Sequence, residues 1–527
     1  MRRKILAMIM TFAMIFAAIP FAHAGEATAS DLVDLLPGNE TAKEAFLKIL
    51  DGGILGNEES IQEIKELIDQ EYSRPHGTAD YVPDKNSYYV SLGDSTVTGM
   101  STGDPAYNNF GYKTKVPTCA PYQVAQALGL DVNTQYEQLA LGGLRTTDLR
   151  YILDETFAQD EYAFTDVKNS IDIYAGGLEQ MRKDYKAALL KADLITVGIG
   201  NNNFSSFFRV QSNGAIAELL SEELKGPLNG IFGPRIKAEI SKFLDLGQRP
   251  RKMTWERYLG ADGAEKLKEA LAEVEARLIA EGIPETYPVD LAVLAGEFLE
   301  IEVPTALKLN IDVPVAELAT YFLECGLYSY VTFVVDFKGA CDKIHEIAPD
   351  AELLILSMYN PADNTVFTFD GMVLPYGELY GLMVKTLSLQ LRDYAEATPK
   401  TTFVDIYDTE SLADRELEDG RVYELTEYVE IMNNNSGDFH ATPAGHSYMK
   451  GQILAALVPE EDGLLGDADG SGEVDYVDAM LVLQYHTGVI TNDALALAQC
   501  DVDGSGAVDY VDAMLILQYH TGVISKF

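Results

Sequence analysis

The sequence predicts an α/β fold with a parallel sheet covered by helices on both faces, followed by a small all-α unit at the C-terminus. Helical stretches such as 185–191 and 336–347 alternate with short apolar runs. Four runs have the composition of buried strands: 88–92, 194–197, 353–356 and 402–406. Short apolar strands that alternate with helices are typical of a parallel sheet. From residue 467 this alternation stops, and a loop–helix segment occurs twice.

The N-terminus has the composition of a secretory signal peptide, which we place at 1–24. Three basic residues, Arg2, Arg3 and Lys4, precede an apolar run, and Ala22-His23-Ala24 supplies a small-residue cleavage site. The apolar run is short for a membrane span, and no stop-transfer pattern follows it. We therefore expect a secreted, extracellular or cell-surface protein without a membrane span in the mature chain. Residues 25–85 form a predicted helical segment, because apolar residues recur at helical spacing there.

The charge balance excludes several classes of partner. The 527 residues carry 39 Lys and Arg against 82 Asp and Glu, a formal net charge of −43. A surface this acidic repels nucleic acids and anionic membranes and attracts divalent cations. The four cysteines lack the close spacing typical of a zinc site.

A long helical stretch interrupts the strand–helix alternation at about 204–325. It includes the helical pattern at 264–281 and is too long for a simple crossover between strands. We interpret it as an insertion, either a structural buttress or a lid or wall over the substrate.

The repeated C-terminal segment predicts two calcium-binding loops. Residues 467–490 recur as 501–524 with three differences, and each copy begins with oxygen-bearing residues at EF-hand spacing. The carboxylates of one loop repel one another without a cation, so we expect this unit to be largely unfolded without calcium. The predicted ligands of two structural Ca²⁺ ions are Asp467, Asp469, Ser471, Glu473 (backbone carbonyl), Asp475 and Asp478, then Asp501, Asp503, Ser505, Ala507 (backbone carbonyl), Asp509 and Asp512.

Two loop–helix units with Asp at loop position 12 resemble a type I dockerin. We place this domain at 467–527, after a short acidic linker at 459–466. The resemblance implies binding to a cohesin module of a scaffoldin, as in a cellulosome. It also implies that loop positions 10 and 11 help to select the cohesin, and that the matching copies permit two docking orientations. The residues at these positions are Tyr476, Val477, Tyr510 and Val511, and packing between the two units is their alternative role.

A candidate nucleophile follows the first predicted strand. The sequence Gly93-Asp94-Ser95, with Gly99 four residues later, places Ser95 at the carboxyl edge of the sheet, where α/β folds build their sites. A serine hydroxyl needs a base to take its proton, and histidine is the usual one. Of the seven histidines, His440 and His446 lie in a turn before the last helix that precedes the repeats. The others lie in the signal peptide, a connector, a helix or the repeats.

Residues 86–458 resemble an SGNH/GDSL hydrolase, a three-layer α/β/α fold of flavodoxin-like topology. The motifs occur in the family's order: Gly93-Asp94-Ser95, Gly143-Leu144-Arg145-Thr146, Gly200-Asn201-Asn202-Asn203 and His440. The resemblance implies Ser95 as nucleophile and His440 as base. It further implies the N–H of Gly143 and the carboxamide of Asn202 as donors to the oxyanion, with no cofactor for catalysis.

Two positions depart from the family pattern. Asn203 stands where the family has aspartate, and Gly437 stands where it has the acid partner of the histidine. Either Asp438 or a backbone carbonyl then orients His440.

The two resemblances together are those of a cellulosomal carbohydrate esterase. We expect a secreted serine esterase that de-esterifies plant cell-wall polysaccharide while docked to a cohesin. Two alternatives remain open: a lipase or phospholipase with the insertion as its lid, and a catalytically inactive binding protein of the same scaffold.

Overall fold

The computed structural model describes most of the chain. The described ranges are 32–50, 58–72, 77–157, 168–204, 210–218, 252–280, 283–290, 310–360, 367–407, 440–457, 465–490, 497–503 and 508–526, with single positions and pairs of positions left out. The predicted signal peptide and most of the predicted linker lie outside these ranges, as do Asp438, Ser505 and Ala507. The chain divides into two compact units, Met1–Ala456 and Leu457–Phe527.

A five-stranded parallel sheet forms the centre of the first unit. Its strands are β1 (Tyr89–Gly93), β2 (Tyr136–Gln138), β3 (Leu194–Gly198), β6 (Glu352–Leu356) and β9 (Thr401–Val404). Their order in the sheet is β2-β1-β3-β6-β9, the order of a flavodoxin-like sheet, with every pairing parallel. All residues of β1, β3 and β6 are buried, as expected when helices cover both faces of a sheet.

The fold therefore agrees with the α/β class that the sequence predicts. Two antiparallel hairpins lie outside the sheet: β4 (Tyr287–Asp290) with β5 (Asn310–Val313), and β7 (Phe367–Phe369) with β8 (Met372–Leu374). The helices of this unit are α1 (Glu40–Leu50), α2 (Glu58–Tyr72), α3 (Ala120–Ala127), α4 (Thr146–Leu153), α5 (Lys168–Tyr174), α6 (Leu178–Leu189), α7 (Trp255–Ala280), α8 (Val315–Ile347), α9 (Tyr376–Ala397) and α10 (Pro443–Leu457).

Helix α8 is the longest element and belongs to the core. It is long and apolar enough to cross a membrane, but 72% of its most apolar window is buried inside the protein. Its buried Asp336 accepts hydrogen bonds from Thr147 Oγ1 (2.6 Å), Arg150 Nη1 (3.0 Å) and Tyr258 Oη (2.9 Å). Burial raises the pKa of Asp336 to about 6, while these donors stabilise its charged form. The carboxylate thus ties α8 to α4 and α7.

The two N-terminal helices pack on the core of the same unit. Phe46 of α1 stacks on Tyr330 of α8 with ring centroids 4.4 Å apart. At the end of α2, the Tyr72 hydroxyl donates to Asp405 Oδ1 (2.7 Å), just beyond β9, and the Ser357 hydroxyl beyond β6 donates to the same oxygen (2.9 Å). The predicted N-terminal helical segment is therefore packed against the carboxyl edge of the sheet.

The second unit is small and helical. It consists of α11 (Tyr476–His486), α12 (Leu497–Cys500) and α13 (Tyr510–His520), around a small core that includes Val482, Cys500 and Ile516. Gly488 and Gly522 follow α11 and α13 with φ of +71° and +74°, the left-handed conformation of a helix C-cap glycine.

Candidate active site and metal-binding loops

Ser95 lies on a tight turn at the carboxyl end of β1. The strand ends at Gly93, and Ser95–Val97 form a short 3₁₀ helix. A Cβ at Gly93, where φ is +138°, would collide with the backbone of Gly198, so only glycine fits the turn. Ser95 is half-buried. Within the described residues its hydroxyl makes no hydrogen bond, which leaves the oxygen available to a substrate.

The carboxylate of Asp94 joins this turn to the loop after β3. Its Oδ1 accepts from the Thr96 N–H (2.9 Å) and the Thr96 hydroxyl (2.6 Å). Its Oδ2 accepts from the Gly200 N–H (3.3 Å) and from Asn202 Nδ2 (3.2 Å). Burial raises the pKa of Asp94, whereas these donors and the charge of His440 favour its ionised form. No role of its own was predicted for Asp94 from the sequence; the available signal was an acidic residue directly after a mostly apolar strand.

The two predicted oxyanion donors, the Gly143 N–H and the Asn202 carboxamide, lie on neighbouring loops. Gly143, with φ of +89°, lies in the loop after β2, and a Cβ on the preceding Gly142 would lie 3.7 Å from Ser95 Cβ. Asn202 Nδ2 donates to Asp94 Oδ2 and to the Leu144 carbonyl, both at 3.2 Å. The loops after β1, β2 and β3 thus bring Ser95, Gly143 and Asn202 to one edge of the sheet.

Asn203 holds two of these loops together. Its Oδ1 accepts from the Thr146 N–H (3.0 Å), and its Nδ2 donates to the Thr146 hydroxyl (2.8 Å). Aspartate has no side-chain N–H group and could not donate to the Thr146 hydroxyl as Asn203 Nδ2 does. Asparagine therefore suits this buried position.

His440 lies three residues before the start of α10. Its charge lowers the pKa of both Asp94 and His446, so it acts electrostatically on the turn that carries Ser95. His446 is buried on α10, where burial lowers its pKa to about 4 and its Nδ1 accepts from the Ala120 N–H (3.3 Å). His446 is therefore neutral at pH 7 with its proton on Nε2, a packing residue behind His440. Asp438 lies outside the described residues.

The C-terminal loops each gather three carboxylates. Oxygens of Asp467, Asp469 and Asp478 all lie within 4.8 Å of one another, and those of Asp501, Asp503 and Asp512 do the same. Clustered carboxylate oxygens are the ligands that calcium prefers, so these residues fit a calcium ion.

Two other predicted ligands act as helix caps in this structure. The carboxylates of Asp475 and Asp509 accept from the N–H groups of Val477 (2.6 Å) and Val511 (2.7 Å). Asp475 and Asp509 occupy loop position 9, which in EF-hands often reaches the ion through water. In the first loop the Ser471 hydroxyl donates to the Glu473 carbonyl (3.2 Å), so both of these predicted ligands face the same turn.

The two loop–helix units are related by approximate two-fold symmetry. The ring of Tyr476 contacts His520 and that of Tyr510 contacts His486, with centroids 6.1 and 5.8 Å apart, so α11 and α13 run antiparallel. Each helix exposes a stripe at i, i+4 and i+7, namely Tyr476, Met480 and Leu483 on α11, and Tyr510, Met514 and Leu517 on α13. Exposed apolar stripes of this kind mark interaction surfaces.

Comparison with known proteins identifies the C-terminal unit. Residues 465–519 match the family model of the dockerin type I domain, so this part of the chain is a type I dockerin, a module that binds cohesins. No curated protein sequence matches the chain.

Solved structures similar to the chain include three lipolytic enzymes. An extracellular lipase from Streptomyces rimosus (14% identity, TM-score 0.31) and phospholipase A1 from Streptomyces albidoflavus NA297 (12%, 0.30) each match over their whole length and 71% of this chain. The lipase Lip_vut3 from a goat rumen metagenome (14%, 0.27) matches over 97% of its length and 70% of this chain.

Proposed function

We propose that the protein is an esterase of the SGNH type that hydrolyses carboxylic esters of plant cell-wall polysaccharide while its dockerin holds it on a cohesin. The observation that carries the hydrolase assignment is the arrangement of Ser95, Gly143 and Asn202 on neighbouring loops at the carboxyl edge of the sheet, with His440 as the proposed base. The polysaccharide assignment rests on the dockerin, because a docking module places an enzyme among others that act on the same material.

The proposed mechanism is two-step acyl transfer. Ser95 Oγ attacks the ester carbonyl carbon while His440 takes the hydroxyl proton, and the carbonyl oxygen becomes an oxyanion. His440 then returns the proton to the leaving alcohol as the C–O bond breaks. Water, activated by the same imidazole, attacks the acyl-enzyme and releases the acid and free Ser95.

The proposed oxyanion donors are the N–H groups of Ser95 and Gly143 and the carboxamide of Asn202. Within the described residues, neither backbone N–H donates to another group. Both N–H groups of Asn202 are engaged, but at 3.2 Å, which is long for this kind of hydrogen bond. One of them can therefore turn from the Leu144 carbonyl to the oxyanion at little cost, while Asp94 retains the other.

Calcium would be held by the two carboxylate clusters of the dockerin, Asp467, Asp469 and Asp478, and Asp501, Asp503 and Asp512. A bound ion would neutralise the repulsion within each cluster and would thereby stabilise the loop in front of α11 or α13. The exposed stripes that begin at Tyr476 and Tyr510 are the proposed cohesin contacts. Tyrosine suits the centre of such an interface.

A substrate panel tests the proposed activity. Purified full-length protein is assayed on acetylated xylan, methyl-esterified pectin and a long-chain triglyceride, with Ser95→Ala as the matched inactive control. We expect acetate release from xylan to exceed the other two rates by at least tenfold. Preferential release of long-chain fatty acid would instead establish a lipase, and equal rates for wild type and Ser95→Ala would remove the hydrolase assignment.

A further inference from the structure

An exposed aromatic ring, Phe110, lies beside the proposed nucleophile and packs on the half-buried ring of Tyr174. Phe110, on the short 3₁₀ helix Asn109–Gly111, is 40% exposed, and it stacks on Tyr174 at the end of α5. The ring centroids are 5.3 Å apart and the planes differ by 28°. Large apolar side chains are normally buried, so an exposed Phe110 ring supported by Tyr174 next to a candidate catalytic residue indicates binding.

The rings and the nucleophile flank the same glycine. A Cβ at Gly142 would lie 3.0 Å from Phe110 Cδ1 and 3.7 Å from Ser95 Cβ. The Gly142 N–H donates to the Phe110 carbonyl (2.9 Å), which fixes the aromatic residue to the loop that carries Gly143. The Phe110 ring therefore lies close enough to Ser95 to contact a group of the substrate next to the ester.

The backbone at Phe110 is held in an unfavourable conformation. Asn109 and Phe110 both have φ of +51°, a region that a bulky aromatic residue rarely adopts. The N–H groups of Gly111 and Tyr112 close this turn on the carbonyls of Asn108 (2.8 Å) and Asn109 (3.1 Å). Strained residues of this kind persist at sites where the side-chain position matters for function.

The surroundings favour a sugar ring over an acyl chain. An alkyl chain binds in enclosed apolar grooves, whereas Phe110 is 40% exposed to solvent. Exposed Asn109, adjacent to Phe110 in the chain, adds a carboxamide, a group that hydrogen-bonds hydroxyls. The C–H face of a pyranose carries partial positive charge, and the face of an aromatic ring is negative.

We propose that Phe110 and Tyr174 form an aromatic platform that binds a sugar ring of the substrate chain next to the ester that Ser95 attacks. This inference rests on the proposed function and adds the subsite through which a polysaccharide is recognised. The platform acts on substrate binding, so its effect is expected in KM and not in kcat.

The test removes the rings and compares a sugar ester with a small ester. Phe110→Asn is the chosen variant because asparagine tolerates the left-handed conformation, and Tyr174→Ala is the second. Leu190→Ala, which removes another exposed apolar side chain, is the control. Each is assayed on acetylated xylo-oligosaccharides and on p-nitrophenyl acetate, with folding checked by thermal melting.

We expect both platform variants to lower kcat/KM on the oligosaccharide, through KM, by about 3- to 10-fold more than on p-nitrophenyl acetate. The Leu190→Ala control should change the two rates equally. An equal loss on both esters, or no loss in Phe110→Asn, would overturn the platform alone. A wild-type protein that hydrolyses p-nitrophenyl acetate but not the oligosaccharide would overturn the polysaccharide assignment together with the platform.

Discussion

The two candidate sites of this chain are built in opposite ways. Each dockerin loop draws its carboxylates from twelve consecutive residues, and the second loop repeats the first. The candidate catalytic residues Ser95, Gly143, Asn202 and His440 are distributed over more than half the chain, and loops at one edge of the sheet bring the first three together. Each calcium loop thus depends on a cation to offset the repulsion among its carboxylates. The candidate active site depends instead on the packing of the whole first unit.

Removal of calcium by a chelator should give the largest difference between the two units. In EDTA we expect the dockerin to lose its helices and become sensitive to protease, because its clustered carboxylates repel one another without calcium. Far-UV circular dichroism and limited proteolysis measure this change, and cohesin affinity should fall by about 10³-fold or more. The single tryptophan, Trp255, lies in the first unit and serves as the control, since its fluorescence should not change. A dockerin that keeps its helices in EDTA would contradict the account.

Asn202→Ala should lower kcat by about 100-fold or more on p-nitrophenyl acetate, with KM little changed. The loss is that of one oxyanion donor, which costs roughly 3 kcal/mol of barrier. Asn203→Ala is the matched control, because its carboxamide contacts Thr146 and should act through stability. Full kcat in Asn202→Ala would show that this carboxamide does not contact the reacting oxygen.

Acid should destabilise the first unit partly through His446. Its pKa is lowered to about 4 in the folded protein, so between pH 6.5 and 4 the unfolded chain binds more protons and stability falls as the pH falls. The contribution lost between pH 7 and pH 4.5 is about 2 kcal/mol.

Replacement of His446 by asparagine isolates this contribution. His446→Asn should have a flatter pH dependence of the unfolding free energy, measured by urea titration followed through Trp255 fluorescence. An unchanged pH slope in this variant would show that His446 is not buried as the neutral form.

The smallest effect is expected for a single tyrosine substitution in the dockerin, because its two docking faces are related by symmetry. Tyr476→Ala should reduce affinity for a cohesin only about twofold, because the second stripe, which begins at Tyr510, remains available for docking in the other orientation. The double variant, Tyr476→Ala with Tyr510→Ala, should lower the cohesin affinity by much more than twice the loss in the single variant, as measured by calorimetry. A full loss in either single variant would contradict equivalent docking faces.

The elements predicted from the sequence were those whose signal lies in consecutive residues. Four strands were predicted from continuous apolar runs, and their order in the sheet follows the family resemblance. Strand β2, Tyr136–Gln138, was missed because it has only three residues and includes charged Glu137. Helix α8 begins at Val315, inside the stretch predicted as an insertion, because one apolar pattern continues through residue 325.

Residues whose roles depend on three-dimensional contacts were not predictable in the same way. Asp94 contacts Asn202, more than one hundred positions away, and nothing in the local sequence indicates that hydrogen bond. The same holds for Phe110, whose exposure beside Gly142 depends on the turn that carries it. The carboxylates of the calcium loops were predictable because their spacing along the chain already determines their geometry.

The most direct test of the account is covalent labelling of the intact protein with a fluorophosphonate. We predict a single adduct on Ser95, identified by peptide mass spectrometry, with labelling lost in Ser95→Ala and strongly slowed in His440→Ala. Labelling should persist in EDTA, because both carboxylate clusters found among the described residues lie in the second unit. Absence of an adduct, or an adduct on another residue, would contradict the assignment of Ser95 as an activated nucleophile.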